Sequence, residues 1–401
     1  MPTEHPLSRR SFLAAAAAAA AASSLAVSGL ASCAHLGRRR DEGMLVYVGT
    51  YTDAGRAEGV YLFRLDAEAG TLRPAGAAAV GPNPSFLALH PTRRVLLAVN
   101  EVTEWEGQRT GAVSSFAEAP ETGALTPAGR RVSHGGAPCY ISVDRTGRFA
   151  LVANYVGGSV AVLPIAGDAL GEATAVVQHA GPAGPNAARQ EAPHAHCIIP
   201  DPTNRFALAA DLGLDRIFVY ALDDAGRLAP AATPFAALPA GAGPRHLAFH
   251  PSGRFLYVVN ELDLTLGAFR WDAAAGTLAP LAMVPLLAQR PAGEATAADL
   301  HVAPSGRFLY ASVRGDDSIV VFAVDPASGA PAPVQRVSTE GLWPRNFGLD
   351  PSGRFLFVAN QRSGSIVGFR VDADTGRLTP TGQRVEVPSP VCIRFAEGRP
   401  A

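Results

Sequence analysis

The sequence predicts an all-β protein, a seven-bladed β-propeller with four antiparallel strands per blade, the seventh closed by N- and C-terminal strands. Three observations carry this. A hairpin pattern of apolar run, turn and apolar run recurs six times. Its turn arginines, Arg94, Arg148, Arg205, Arg254, Arg307 and Arg354, stand 47 to 57 residues apart, a spacing that fits a propeller blade of several strands. Each hairpin leads into a third run, a glycine-containing turn and a fourth run, as in SGSIVGFRVD, ADTG and RLTPTGQRVEV. Finally, the two chain ends supply the missing parts of one more blade.

In chain order, residues 1–33 read as a targeting segment. SRRSFL at 8–13 precedes an alanine-rich run ending at Cys33, the pattern of a twin-arginine export signal. The run is weakly apolar and suits a signal peptide better than a membrane span. Leu30-Ala31-Ser32-Cys33 resembles a bacterial lipobox, in which the cysteine is lipidated and becomes the mature N-terminus. The expectation is a periplasmic or membrane-anchored lipoprotein, touching the membrane only through a lipid on Cys33. Residues 34–43 form a linker, 44–396 the propeller and 397–401 a tail.

MLVYVGTYTDAGRAEGVYLFRLDAEAGTLRPAG from Met44 reads as the second, third and fourth strands of a blade lacking its first. The six hairpins follow, from NPSFLALHPTRRVLLAVNE (83–101) to WPRNFGLDPSGRFLFVANQR (343–362). SPVCIRFAE near the C-terminus supplies the absent first strand, and pairing the chain ends removes an open sheet edge. The turn glycines meet a need for positive φ. The arginine after each is assigned a solvated or turn-bracing role, because a single active site cannot use six.

A formal net charge of −1 gives no pull toward nucleic acid or anionic membranes. The four cysteines are far apart, with no CxxC pair, so neither a zinc site nor a disulfide framework is indicated. Cys139, Cys197 and Cys392 are expected as buried thiols on inner strands. A monomer without cofactor is expected.

Topology locates the site. In an antiparallel hairpin the start of the first strand and the end of the second lie side by side, so these positions from every blade crowd one mouth of the central channel. They include Asn83, Asn100 and Glu101; Tyr140, Asn154 and Tyr155; His194, His196, Asp211 and Asp215; Arg245, His246 and Glu261; Asp299, His301 and Arg314; Arg345, Asn346, Asn360 and Gln361, with Tyr51 and Asp53 from the closing blade. Strand ends are usually polar, which accounts for the Asn and Gln. It accounts less well for arginines, histidines and a glutamate converging on one opening, which is what binding and polarising an anionic substrate requires. His90 and His250, in the far turns, are read as structural. His194 and His196 alternate, so on a strand they point the same way, but the sequence fixes no third ligand and nearby arginines repel a cation; no metal is expected.

APCYISVDRTGRFALVANYVGGSVAVLPI, PHAHC, DLGLDRIFVY, GPRHLAFHPSGRFLYVVNEL and RGDDSIVVF resemble the seven-bladed lactonase family, which includes propeller-type 6-phosphogluconolactonases and fungal 3-carboxy-cis,cis-muconate lactonizing enzymes. The resemblance runs from about Met44 to Phe395. It implies a catalytic set of His196, Arg245, Glu261 and Arg314. His194, Asn154, Tyr155, Asp211, His246, Asp299, His301 and Arg345 are the candidate substrate-binding residues around it. The implied partner is a small anionic lactone or carboxylate. Departures lie at SVRGDDSI, where many relatives have Asn before the Arg and His after the Gly, and at Asp299, where many have Glu. The expected chemistry is hydrolysis of a sugar-acid lactone, with Glu261 or His196 activating water, Arg245 stabilising the oxyanion, and Arg314 and Arg345 holding an anionic group. A muconate-type cyclisation and a non-enzymatic binding propeller are the alternatives. No GxSxG elbow marks a nucleophilic serine.

Overall fold

The computed structural model describes residues 43–396. The expected export signal with Cys33, nearly all of the expected linker and the expected tail lie outside them. Among the described residues there are seven antiparallel sheets and no helix. Six of them take their strands in chain order from the channel outward. Blade 4, for example, runs Pro244–Phe249, Phe255–Asn260, Thr265–Asp272 and Thr277–Pro285. The closing blade joins Pro390–Phe395 to Met44–Thr50, with Val46 facing Phe395 and Gly49 facing Cys392, and continues through Val60–Asp66 and Thr71–Ala78.

Burial follows radial position. The second strands Val95–Asn100, Phe149–Asn154, Phe255–Asn260 and Phe355–Asn360 are buried at every residue. Both of their faces are covered by neighbouring blades, which is why they read as unbroken apolar runs rather than alternating ones. The fourth strands are largely exposed. Blade 2 alone departs from the four-strand plan. Its third strand, Ser159–Ala166, pairs outward with two short pieces, Ala169–Leu170 and Ala175–Gln178, interrupted where Gly171 turns back to donate to the Pro164 carbonyl.

The Arg-Phe repeated in five of the far turns ties each of those blades to the next. Arg148 donates to the carbonyl of Asp224, Arg254 to that of Pro326, Arg307 to that of Asp374 and Arg354 to that of Ala67, always in the outer turn of the following blade. The Phe beside each arginine packs on the glycine of that same turn. A Cβ on Gly226, Gly276, Gly329, Gly376 or Gly70 would lie 2.1–2.5 Å from the ring of Phe149, Phe206, Phe255, Phe308 or Phe355. The turn arginines thus brace the neighbouring blade as well as their own turn, where Arg148, Arg205 and Arg354 donate from Nε to Thr146, Thr203 and Ser352.

Candidate active site

One backbone device builds the channel mouth. The first strands carry an extra residue near their start. Register shifts between Pro138 and Tyr140, Ala195 and Cys197, Pro244 and His246, and Pro344 and Asn346 leave Cys139, His196, Arg245 and Arg345 unpaired across the ladder. The closing blade shifts at Gly49/Thr50, passing over Val391. A bulge re-aims the side chain it carries, and all five of these residues line the space at the channel mouth.

A second set comes from the ends of the second strands. Asn100, Asn154 and Asn360 are fully buried, and each amide donates to a carbonyl of the connection leading into its own blade: Pro82, Ser133 and Thr339. These asparagines close the blade. The residues just after Asn100, Asn154 and Asn260, namely Glu101, Tyr155 and Glu261, stand on the cavity wall. The cavity holds about 280 Å³ and is completed by Arg189, Glu294, Thr296, Arg314 and Trp343. Beside it, sharing Glu101, Cys139 and Arg345 as walls, lies an annex of about 10 Å³ that also touches Ser85, Phe86 and His246, room for a single water.

Three arginines converge on Glu261. Arg189 Nη2 lies 2.5 Å from Oε1, and Arg245 Nε and Arg314 Nη2 each lie 2.9 Å from Oε2. Burial alone would raise this carboxyl, but Arg314, Arg245 and Arg189 outweigh it and hold it far below the usual carboxylate range. Glu261 is therefore a permanent anion, poorly suited to taking a proton from water. Of the two groups expected to activate water, it is the one the geometry disfavours. His196 is the opposite case. Burial, then Arg245, His246 and Arg345, push its imidazole well below its usual range, so it is neutral at pH 7. It makes no ion pair with a carboxylate among the described residues. Its Nδ1 lies 3.7 Å from Cys139 Sγ, and Tyr155 and His246 meet its ring edgewise.

Behind Arg245 sits a separate buried network. His246 Nδ1 donates to Asp299 Oδ1 at 2.7 Å, His301 Nε2 donates to Oδ2 at 3.0 Å, and Asn346 donates to the same carboxylate. Arg245 Nη1 lies 3.2 Å from His246 Nε2. Asp299 and His301, expected at the substrate, line neither cavity; they hold His246 and the strands in place. His246 reaches only the annex.

Three further expectations are corrected. Asn154 is the blade-closing amide just described. Asp211 accepts from His179 Nδ1 at 2.6 Å and from the His194 and Leu214 backbone N–H groups, and its side chain is fully enclosed. His194 does not point with His196. It precedes the strand, the bulge intervenes, and its ring is spent on the Tyr155 carbonyl and on Glu191. Tyr140 packs on Phe86 and His246. Asp316, the departure after Arg314, turns outward onto Arg336 and Ser318.

Arg189 was not anticipated. It rides a Pro/Gly/Ala-rich loop that resembles an ordinary linker. Gln190 anchors that loop, donating to Leu212 O and Asp215 Oδ1, both at 2.8 Å. Cys139 was placed correctly as a buried thiol on an inner strand, but its place on the cavity wall was missed. Both it and Ser85 directly follow a proline, as do Arg245, Arg345 and Val391, so Pro-x at the strand start was a usable signal. Trp343 was missed as well; Arg314 and Arg362 lie over its ring, 5.4 and 3.3 Å from the centroid.

The buried histidines set a pH dependence of stability. Burial, then Arg245, lowers His246 from 6.5 to about 4, and His196 moves the same way. Below pH 6.5 the unfolded chain takes protons that the folded one refuses, so stability falls as pH drops from 6.5 toward 4, by up to about 1.4 kcal/mol per pH unit for each group. Asp299 is shifted well below 3.8: burial would raise it, but His301 and His246 prevail, so its contribution is lost only at lower pH. His196→Gln is expected to flatten the fall in melting temperature between pH 6.5 and 4.5; an unchanged slope would remove His196 from this account.

Residues 45–395 match the family model described as "Lactonase, 7-bladed beta-propeller". A 6-phosphogluconolactonase of Bacillus subtilis (strain 168) is 38% identical over 350 residues, covering 87% of this chain and 97% of that protein. The crystal structure of the Pseudomonas aeruginosa periplasmic gluconolactonase PpgL superposes with a TM-score of 0.81 at 38% identity, covering 88% of this chain and 98% of that one. A Lactobacillus plantarum protein superposes with a TM-score of 0.81 at 33% identity, covering 88% of this chain and 100% of that one.

Proposed function

The chain belongs to the seven-bladed β-propeller lactonase family, and on that premise we propose that it hydrolyses a sugar-acid lactone, with water as nucleophile and His196 as base. The observation that carries this reading is the convergence of Arg189, Arg314 and Arg345 on one cavity whose wall also bears a neutral imidazole, with Arg245 on the adjoining annex. Glu261 fixes three of those arginines. Each guanidinium has five donors, so N–H groups remain after Glu261 is served. Arg245 stabilises the oxyanion that forms at the carbonyl. Arg314 and Arg345 hold the substrate's own anionic or hydroxyl groups. Neutral His196 takes the proton of the attacking water. The names of the Bacillus and Pseudomonas relatives, a 6-phosphogluconolactonase and a gluconolactonase, support a gluconolactone-type substrate. The export signal and Cys33 favour an unphosphorylated lactone met outside the cytoplasm, by a lipoprotein exported through the twin-arginine route.

The test is hydrolysis of D-glucono-δ-lactone and its 6-phosphate by the purified protein, against the rate in buffer. The parent is expected to open one of them, and His196→Gln to lower kcat by about 100-fold or more while staying folded. A parent that opens no lactone but cyclises a muconate would overturn the hydrolytic reading, and an unimpaired His196→Gln would remove the base.

A further inference from the structure

We propose that Glu101 is a second catalytic residue, the acid that gives a proton to the ring oxygen as the lactone opens. The inference rests on the hydrolytic reading above. It begins with position: Glu101 lines both the main cavity and the one-water annex, on the same cavity wall that carries His196. It continues with partners. Glu261 is held by three guanidinium groups, whereas Glu101 makes no ion pair among the described residues. Its oxygens accept from neutral hydroxyls: Tyr51 Oη lies 2.9 Å from both, and Ser85 Oγ donates to Oε2. Arg345 Nη2 donates to Tyr51 Oη at 2.7 Å, so its charge is relayed through a phenol. The other groups facing this carboxyl are Arg245, Arg345 and Cys139.

Two of the three glutamates of this cavity, Glu101 and Glu261, are thus shifted in opposite directions. Burial raises Glu101 above its ordinary value, although Arg345, Ser85, Tyr51 and Arg245 pull it down. His196 is lowered. A carboxyl pushed up and an imidazole pushed down, on one cavity, are shifted in the directions that an acid and a base of one site require. The reaction needs both. Water adds to the carbonyl carbon while His196 takes one of its protons. The bond from that carbon to the ring oxygen then breaks, and the ring oxygen leaves with the Glu101 proton as a hydroxyl rather than as a poor alkoxide leaving group. The imidazolium and the Glu101 carboxylate regain their starting states by proton exchange with solvent, and nothing is oxidised or reduced.

The experiment is the pH profile of kcat on the lactone the parent opens, with the buffer rate subtracted, for the parent, Glu101→Gln and Tyr51→Phe in the full chain. An acid must be protonated, so the parent's kcat falls as pH rises through the Glu101 pKa. Glu101→Gln is expected to lower kcat about 100-fold or more, to leave KM within a few-fold, and to erase that alkaline limb. Tyr51→Phe removes a hydrogen bond to the carboxylate and is expected to move the limb to higher pH. A Glu101→Gln protein with parental kcat, or with reduced kcat and the limb intact, overturns the proposal while hydrolysis stands. A parent without lactonase activity overturns both.

Discussion

Glu261→Gln is expected to cost about 3–5 kcal/mol of stability and to reduce lactone turnover by at least about 100- to 1,000-fold. Both effects have one cause. Arg245 and Arg314 are 2% and 4% exposed, so neither can recover its charge solvation from water once the carboxylate is gone. Each already disfavours the other. Burial lowers Arg314 to about 9, with Arg245 and Arg345 adding to the effect and Glu261 opposing it. Removing Glu261 leaves mutually repelling cations in a low-dielectric cavity. The guanidinium groups then keep carbonyl partners, Ala298 for Arg245 and Ala297 for Arg314, but lose their carboxylate, and the oxyanion donors lose their aim. A double variant, Glu261→Gln with Arg314→Gln, removes one of the stranded charges; it is expected to regain part of the stability and none of the turnover. Chemical denaturation and steady-state kinetics on the three proteins decide this. A single variant as stable and active as the parent would mean that Glu261 organises nothing.

This triad also shows what could be seen without coordinates. Glu261, Arg245 and Arg314 were legible because hairpin topology brings strand starts and strand ends to one mouth, and the repeat period fixed the hairpins. Topology assigns a mouth, though, not a direction. Asp211, Asn154 and Asp299 stand at equivalent chain positions and are consumed by hydrogen bonds within and between blades. Their polarity carries no mark of which way they turn. The direction comes from the bulge, one extra residue per first strand, and a period-2 reading misses it: His194 and His196 were expected to point together and do not. Arg189 was hidden for a different reason. It lies 72 residues before Glu261 in a loop outside the repeat, and no periodicity reaches it. The blade plan itself was legible except in blade 2, whose outer strand is split into Ala169–Leu170 and Ala175–Gln178.

The Arg-Phe straps give the second large effect, far from the chemistry. Phe355→Ala is expected to destabilise the protein by about 3–5 kcal/mol. Phe355 is fully buried, and its ring covers the outer turn of the closing blade at Gly70, where Arg354 also donates to Ala67. That blade is assembled from both chain ends, so this contact docks a composite sheet onto blade 6. Gly70→Ala attacks the contact from the other side. Its methyl would lie 2.1 Å from the Phe355 ring at a φ of +68°, combining overpacking, about 1–3 kcal/mol, with left-handed strain, about 1–2 kcal/mol. The two substitutions should not add. With the ring gone the methyl has room, so Gly70→Ala in the Phe355→Ala background costs only the strain, and the double-mutant cycle shows a favourable coupling. Gly55→Ala is the control: φ is +67° and nothing lies within 4 Å, so it too should cost strain alone. Equal costs for Gly70→Ala and Gly55→Ala in the parent would show that the ring does not press on this turn, and that the far-side Phe repeat serves the core of its own blade instead.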